Sequence, residues 1–184
     1  IIQEEDLRVP QILLSQRKAL AEAVEWIAAA VGRGGRIFYV GAGTSGRLAA
    51  LDAAELGPTF NLPAGIFEVL MAGGEKALGD PVEGAEDDEK EAPLRLAGKK
   101  LKRGDIVVGI AASGSTPFVL SAIRFAKKIG AKTIGIACNA GTPLESLCDL
   151  PIVAAVGPEI VGGSTRMKAG TATKMVLNMV TTPA

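Results

Sequence analysis

The sequence contains no histidine. Because histidine is the usual acid–base group near neutral pH, proton transfer in this chain must use carboxylates, lysines, the single tyrosine or a thiol, and a Ser-His-Asp triad is excluded. Only two cysteines are present, Cys138 and Cys148, and their spacing fits neither a disulfide framework nor a zinc site. We expect both to be small buried hydrophobic residues.

An excess of charge of either sign is also absent, since 20 basic residues balance 20 acidic ones. No long-range field therefore favours nucleic acid or an anionic membrane. No apolar run reaches the roughly 20 residues of a membrane span, and no charged-then-apolar leader opens the chain. These absences predict a cytoplasmic protein without nucleic-acid or membrane partners. The 184 residues, 48% of them hydrophobic, are enough for one domain with a substantial core.

Two similar loops are the most informative feature that is present. Gly41-Ala-Gly-Thr-Ser-Gly46 follows the apolar run 37–40, and Ala112-Ser-Gly-Ser-Thr116 follows the apolar run 106–110. Each precedes a stretch with helical periodicity. A strand that ends in small and hydroxyl residues before a helix offers unpaired N–H groups and a favourable helix dipole to an anion. Two such loops predict a phosphorylated ligand.

Apolar periodicity predicts strands that alternate with helices. This alternation is typical of an α/β fold, a three-layer α/β/α sandwich with a mainly parallel sheet, and places both loops at the carboxyl edge where such folds bind ligands. Gly57-Pro58 should end the second helix, and the acidic segment 72–91 should be irregular. The predicted strands are 36–40, 66–71, 106–111, 133–137 and 151–156, and the predicted helices are 11–31, 45–56, 91–101, 117–129, 143–147 and one ending near residue 180.

Gly41, Gly43 and Gly46 also satisfy the GxGxxG pattern of dinucleotide-binding folds. That pattern alone is weak, and the acidic residue expected at the end of the next strand is missing, because Glu68 lies inside the apolar run. The glycines could instead serve only a tight strand-to-helix turn. This second interpretation does not explain why hydroxyl residues recur in the second loop, so we favour phosphate binding over NAD or FAD binding.

Two glutamates have unusual surroundings. Glu86 lies in the acidic run 83–91, most of which we interpret as a solvated loop, but the small residues Gly84 and Ala85 allow it a close approach to a ligand. Glu55 lies near the predicted end of a helix, where the helix dipole disfavours an anion. From spacing alone, catalysis is the less favoured interpretation for each.

Four segments in order resemble the N-acetylmuramic acid 6-phosphate etherase family, which carries a sugar isomerase (SIS) domain with a Rossmann-like or flavodoxin-like fold. They are GAGTSGRLAALDAAELGPTF from Gly41, MAGGEKALGDPVEGAEDD from Met71, VGIAASGSTPFV from Val108 and GPEIVGGSTRMKAGTATKMVLNMV from Gly157. The resemblance implies a lyase that cleaves the D-lactyl ether of the sugar phosphate, releasing D-lactate and N-acetylglucosamine 6-phosphate during peptidoglycan recycling. It implies no metal and no cofactor.

The resemblance also assigns site residues. Glu55 and Glu86 match the two catalytic glutamates, with Glu55 as the acid that protonates the departing lactate and Glu86 as the base. For Glu55 to remain protonated, we expect burial among Ala53, Ala54 and Leu56. The residues matched to substrate and phosphate binding are Gly43, Thr44 and Ser45 in the first loop, Ser113, Gly114, Ser115 and Thr116 in the second, and Glu159, Ser164 and Lys168 in a third segment.

The chain departs from the family in two places. Family members usually continue into further helices, whereas this sequence stops at Ala184, so we expect one SIS domain over residues 1–184 without the family's C-terminal helical region. Leu56-Gly-Pro58 stands where the family usually has Cys-Pro-Pro. We expect this second change to affect the turn more than the chemistry.

Helix length predicts a homodimer. Ser45 and Glu55 are ten residues apart, about 15 Å along a straight helix, which is more than a single hexose phosphate spans. Glu55 of one subunit should therefore complete the site on the loops of another. Two alternatives to the etherase remain: a non-catalytic sugar phosphate-binding protein resembling glucokinase regulatory protein, which would need neither glutamate, and an aldose–ketose isomerase with Glu159 as its base.

Overall fold

The computed structural model describes all residues 1–184, which form one five-stranded sheet with helices on both faces. The strands are β1 Ile37–Gly41, β2 Phe67–Met71, β3 Ile106–Ile110, β4 Lys132–Ala137 and β5 Leu150–Val153. The helices are α1 Ile2–Asp6, α2 Val9–Leu13, α3 Arg17–Gly32, α4 Gly43–Phe60, α5 Lys76–Gly79, α6 Glu91–Gly98, α7 Pro117–Ile129, α8 Pro143–Leu147 and α9 Lys168–Thr181. Single 3₁₀ turns lie at Leu14–Gln16 and Ala85–Asp87.

Every strand pairing is parallel, and the strand order is β2-β1-β3-β4-β5. This is the flavodoxin-like order, in which the chain winds in one direction from β1 to β2 and in the other from β3 to β5. The predicted α/β/α class and parallel sheet are therefore confirmed. Because the strands are covered on both faces, they are almost continuously apolar rather than alternating.

Successive residues of each strand point to opposite faces and build two cores. Ile37 and Tyr39 of β1 face a layer formed by α3, α4 and α9, with α1 and α2 packed on α9. Phe38 and Val40 face the other layer, which contains α6, α7 and α8. The two-residue side-chain period of a strand thus fixes which helices meet which side of the sheet.

The N-terminal helix predicted at 11–31 is wrong in extent. Instead, α2 ends at Leu13, a 3₁₀ turn follows, and α3 begins at Arg17. The break directs α2 onto α9, which buries Val9 and Leu13, and leaves Leu14 exposed although its spacing had placed it on the buried face. In addition, the Gln16 side chain accepts a hydrogen bond from the backbone N–H of Val153 on the edge strand, at 3.0 Å.

The end predicted for the second helix is also wrong, because α4 continues through Gly57 and Pro58 to Phe60. A proline near the end of a helix removes only one backbone hydrogen bond, and both residues lie near the surface where water can replace it. The helix ends instead at Asn61, whose left-handed conformation (φ 55°) stops it. Within the segment predicted as irregular, α5 and one 3₁₀ turn are the regular pieces before α6.

No helix combines the length and the apolar character needed to span a bilayer. Both cysteines are free and buried, as predicted: Cys138 lies against α9, and Cys148 lies beneath the α7 layer. Burial raises the pKa of each thiol to about 11. Only the thiolate is a strong nucleophile, so the native protein holds both sulfurs in an unreactive form.

We therefore predict that iodoacetamide at pH 8 modifies neither cysteine in the native protein, since about one thiol in a thousand is ionised at that pH and neither is accessible. Intact mass spectrometry should show no adduct in buffer and two adducts in denaturant. The denatured sample is the control for reagent activity. Rapid modification of either cysteine without denaturant would contradict the burial of that side chain.

Candidate active site

The first and second loops (41–46 and 112–116) meet at the carboxyl edge of the sheet. They follow the neighbouring strands β1 and β3, and the register pairs Gly41 with Ile110, so the two strands end level with each other. The direction of chain winding reverses between these strands. Open α/β folds bind ligands in the crevice at this reversal.

The first loop turns directly into α4. Gly41 and Gly46 touch, since a Cβ on Gly46 would come within 2.9 Å of the Gly41 carbonyl oxygen, and Gly43 adopts φ +52°. Ala42 provides no side-chain cap for the helix. The N–H groups of the first turn, together with the Thr44 hydroxyl, are therefore left for a ligand, whereas Ser45 is largely buried.

The second loop is held against the segment after β4. Gly114 has φ +68° and lies so close to Thr142 that a Cβ would fall 2.3 Å from the Thr142 Oγ1 atom. Its carbonyl accepts a hydrogen bond from the Leu144 N–H at 2.9 Å. The Ser113 hydroxyl accepts one from the Ser115 N–H at 3.2 Å, and Thr116, at the N-cap of α7, makes no capping bond. Ser113 and Ser115 remain exposed, so this loop presents hydroxyl groups to solvent.

Glu86 is brought beside the first loop. It lies in the 3₁₀ turn 85–87, which follows a left-handed Gly84. Together with Gly43 and Arg47 it lines a cavity of about 90 Å³. A cavity of this size accommodates part of a sugar phosphate rather than the whole molecule. One predicted glutamate and one predicted loop are thus adjacent in a single chain.

Glu55 is not brought to these loops. Because α4 is continuous from Gly43 to Phe60, Glu55 lies about 15 Å along the helix from Ser45. The expected burial is wrong for the single chain: Asp52 and Leu56 face the core, whereas Ala54 and Glu55 are exposed. In this chain Glu55 is a solvent-facing carboxylate on the outer side of α4.

The third segment supports α9. Both Glu159 carboxylate oxygens accept backbone hydrogen bonds at the start of that helix, from the Lys168 N–H at 3.1 Å and the Ala169 N–H at 2.9 Å. The Lys168 side chain is buried and paired with Glu5 of α1, and this bond lowers the pKa of the Glu5 carboxyl. Ser164 lies half-buried in the same segment, where its N–H donates to the Val161 carbonyl.

A polar network of two buried residues and one half-buried residue was not predicted from the sequence. Asp52 accepts hydrogen bonds from the Tyr39 hydroxyl at 3.1 Å and from the Lys174 ammonium at 3.0 Å, which joins β1, α4 and α9. Burial, reinforced by the Asp52 charge, raises the pKa of Tyr39 well above its ordinary value. The sequence does contain an indication that Asp52 faces the core. It lies three residues after the buried Ala49, and helical spacing places both on the same side of α4.

A larger cavity of about 540 Å³ lies at the opposite edge of the sheet, beside the starts of β3 and β4. There the Lys132 ammonium lies over the Trp26 ring, 3.7 Å from its centroid. None of the predicted site residues lines this cavity. It has no connection with the chemistry inferred from the loops and the glutamates.

A flavodoxin-like sheet with hydroxyl-rich loops at its winding reversal defines the class to which this protein belongs. The model of the glucokinase regulatory protein N-terminal SIS domain matches residues 19–127, and that of the SIS domain matches residues 81–183. The chain belongs to the SIS domain family.

Within this family the chain is similar to N-acetylmuramic acid 6-phosphate etherases. It is 50% identical to the one from Jannaschia sp. (strain CCS1), over 97% of this chain and 56% of that protein. It is 49% identical to the one from Geobacillus thermodenitrificans, over 99% of this chain and 62% of that protein. The chain therefore spans about three fifths of the length of these relatives.

Solved structures share the fold at low identity. The phosphoheptose isomerase from Neisseria gonorrhoeae superposes with a TM-score of 0.71 at 16% identity, covering 98% of this chain and 93% of that one. The Vibrio vulnificus NanR protein complexed with ManNAc-6P gives a TM-score of 0.65 at 22% identity, covering 97% of this chain and 60% of that one. These likenesses confirm the SIS fold.

The two backbone bonds at the start of α9 predict a structural role for Glu159. Replacing it with alanine should lower the free energy of unfolding by about 1 to 2 kcal/mol, because two N–H groups at a helix N-terminus lose their acceptor. Urea denaturation measures the change, and Glu159→Gln, which keeps one oxygen, should fall between. Glu25→Ala, an exposed helical glutamate without a hydrogen bond, is the control. Unchanged stability in Glu159→Ala would show that the cap is unimportant.

Proposed function

We propose that this chain is the SIS domain of an N-acetylmuramic acid 6-phosphate etherase. The observation that carries the proposal is about 50% identity, over nearly the whole chain, to relatives with that name. The position of Glu86 beside the first loop supports it further. A phosphorylated amino sugar is an intracellular metabolite, so we place the activity in the cytoplasm, as part of peptidoglycan recycling.

The reaction needs one base and one acid. In the open-chain sugar the C2 proton is acidic because C2 is bonded to the C1 aldehyde, and the lactyl ether at C3 is the β leaving group. A base removes the C2 proton, the electron pair forms the C2–C3 double bond, and the C3–O bond breaks as an acid protonates the departing oxygen. Water then adds at C3 and returns a proton to C2. The products are D-lactate and N-acetylglucosamine 6-phosphate.

The loops are suited to hold the phosphate and the sugar. The second loop offers the Ser113, Ser115 and Thr116 hydroxyls at the start of α7, where the helix dipole favours an anion. The first loop offers uncapped N–H groups and the Thr44 hydroxyl beside it. With the 6-phosphate on the second loop, the sugar lies across the crevice towards Glu86. We therefore assign Glu86 as the base that removes the C2 proton.

Glu55 then serves a second copy of the chain. It is exposed on α4 and too far along the helix to reach the loops of its own chain. The cavity beside Glu86 is also too small to enclose the substrate, which leaves one side of the site open to another subunit. We infer a homodimer in which each subunit supplies Glu55 as the acid for its partner's site, and in which the interface provides the burial that this acid requires.

A non-catalytic sugar phosphate-binding protein is the second candidate, because the glucokinase regulatory protein N-terminal SIS domain matches residues 19–127. A binding protein has no use for Glu55 and Glu86, so their presence favours the etherase. The isomerase alternative is weaker, since its candidate base Glu159 already holds the start of α9 with both oxygens. Release of D-lactate from N-acetylmuramic acid 6-phosphate separates the etherase from both.

We predict that the protein releases D-lactate from this substrate and that Glu55→Gln abolishes the release while sugar phosphate binding survives. Glutamine keeps the shape of the side chain but cannot donate the proton, and the phosphate loops are untouched. An enzymatic D-lactate assay and calorimetric titration with N-acetylglucosamine 6-phosphate measure the two properties. Glu25→Gln is the control, and loss of binding together with turnover would assign Glu55 a structural role.

A mixing experiment tests the shared site. Glu55→Gln protein and Ser113→Ala/Thr116→Ala protein should each be inactive, yet each mixed dimer would contain one intact Glu55 facing intact loops. Random exchange of equal amounts should therefore restore about a quarter of the wild-type activity, since half the dimers are mixed and each has one good site. Native mass spectrometry confirms exchange. A mixture that exchanges but stays inactive would show that Glu55 acts within its own chain.

A further inference from the structure

The position of Glu86 depends on the segment that carries it. This segment, residues 72–86, runs from the end of β2 across the carboxyl edge of the sheet and includes α5. The Glu86 side chain is exposed to solvent. Its place beside the first loop is therefore set by whatever fixes the rest of the segment.

Several contacts hold the segment. Just before it, the Arg95 guanidinium of α6 donates a hydrogen bond to the Met71 carbonyl at 2.7 Å. At its first residue, the Ala72 N–H donates one to the Gly41 carbonyl of the first loop at 3.0 Å. At its other end, the 3₁₀ turn that carries Glu86 packs on α7. In its second half, Val82 packs on Gly73, so closely that a Cβ on Gly73 would lie 2.9 Å from the Val82 Cβ. A further contact ties the middle of the segment to α4.

The contact with α4 is made by Arg47, one turn into that helix. Its Nε donates a hydrogen bond to the Leu78 carbonyl at 3.1 Å, at the end of α5. Arg47 also lines the cavity that Gly43 and Glu86 share. The Arg47 hydrogen bond thus connects α4, which follows the first loop, with the segment that carries Glu86. The Ala72 bond fixes the start of the segment to the first loop and the packing on α7 holds its end, whereas Arg47 makes the side-chain hydrogen bond between α4 and the middle of the segment.

We propose that Arg47 is a positioning residue for the Glu86 base, acting by clamping residues 72–86 onto α4 beside the first loop. The inference rests on the proposed etherase function for its catalytic consequence, but not for the clamp itself. Arginine suits the role because its side chain reaches across the gap and presents a planar N–H group in a fixed direction. A displacement of about 1 Å in a catalytic group lowers a rate by as much as 10²-fold.

The test compares Arg47→Ala and Arg47→Lys with Arg33→Ala, which alters an exposed arginine at the opposite edge of the sheet whose side chain makes no hydrogen bond. Amide hydrogen exchange across residues 72–86 should become clearly faster in Arg47→Ala, remain unchanged in Arg33→Ala and recover in part in Arg47→Lys, whose ammonium can still donate to the Leu78 carbonyl. Thermal unfolding midpoints of all variants show whether each chain is folded.

The kinetic arm uses N-acetylmuramic acid 6-phosphate. In Arg47→Ala, kcat for D-lactate release should fall by about 10- to 100-fold with KM within about twofold, because the base moves while the phosphate loops do not. Unchanged exchange across 72–86 would overturn the proposal. A raised KM with unchanged kcat would also overturn it, and would make Arg47 a ligand of the substrate carboxylate. If wild-type protein releases no D-lactate, the etherase proposal fails, and hydrogen exchange alone decides whether Arg47 is a clamp.

Discussion

The parallel pairing of β1 with β3 is the constraint on which the site depends. The chain leaves β1 towards one side of the sheet and leaves β3 towards the other. Because both crossovers are right-handed, α4 lies on one face of the sheet and α7 on the other. The two loops therefore diverge from adjacent strand ends and leave a crevice between them. Glu86 reaches that crevice only because the next strand along the chain, β2, pairs on the outer side of β1 and ends at the same edge.

Regular structure was predictable wherever one local rule dominated. The helices 117–129 and 143–147 were predicted at their observed bounds, because each has proline at its first position and a clear end. The break at 14–16 was not predictable, since it depends on α2 packing against α9, a contact between distant parts of the chain. The prediction that Gly57-Pro58 ends the second helix was wrong for the opposite reason. A local stop signal is present there, but α4 continues through it at its solvent-facing end.

The sequence predicts a set of candidate site residues, whereas their arrangement is known only from the structure. Residue types and resemblance identified both loops and both glutamates, and the structure brings Glu86 to the first loop. Burial of Glu55 could not be judged from its apolar neighbours, because in a helix the residues on either side in sequence point in different directions. Glu159 was matched by resemblance to the segment of Lys168, and its two bonds to helix N–H groups depend on a fold-back that no local pattern encodes.

The polar network of Tyr39, Asp52 and Lys174 has a consequence for how sequences of this kind can diverge. Removing Asp52 alone would leave the buried Tyr39 hydroxyl without its acceptor and the half-buried Lys174 ammonium without its partner, whereas removing all three polar groups together could leave a well-packed apolar contact. A substitution at any one of these positions should therefore cost more stability than replacing all three residues together. We expect the residues at these positions on β1, α4 and α9 to change together as related sequences diverge.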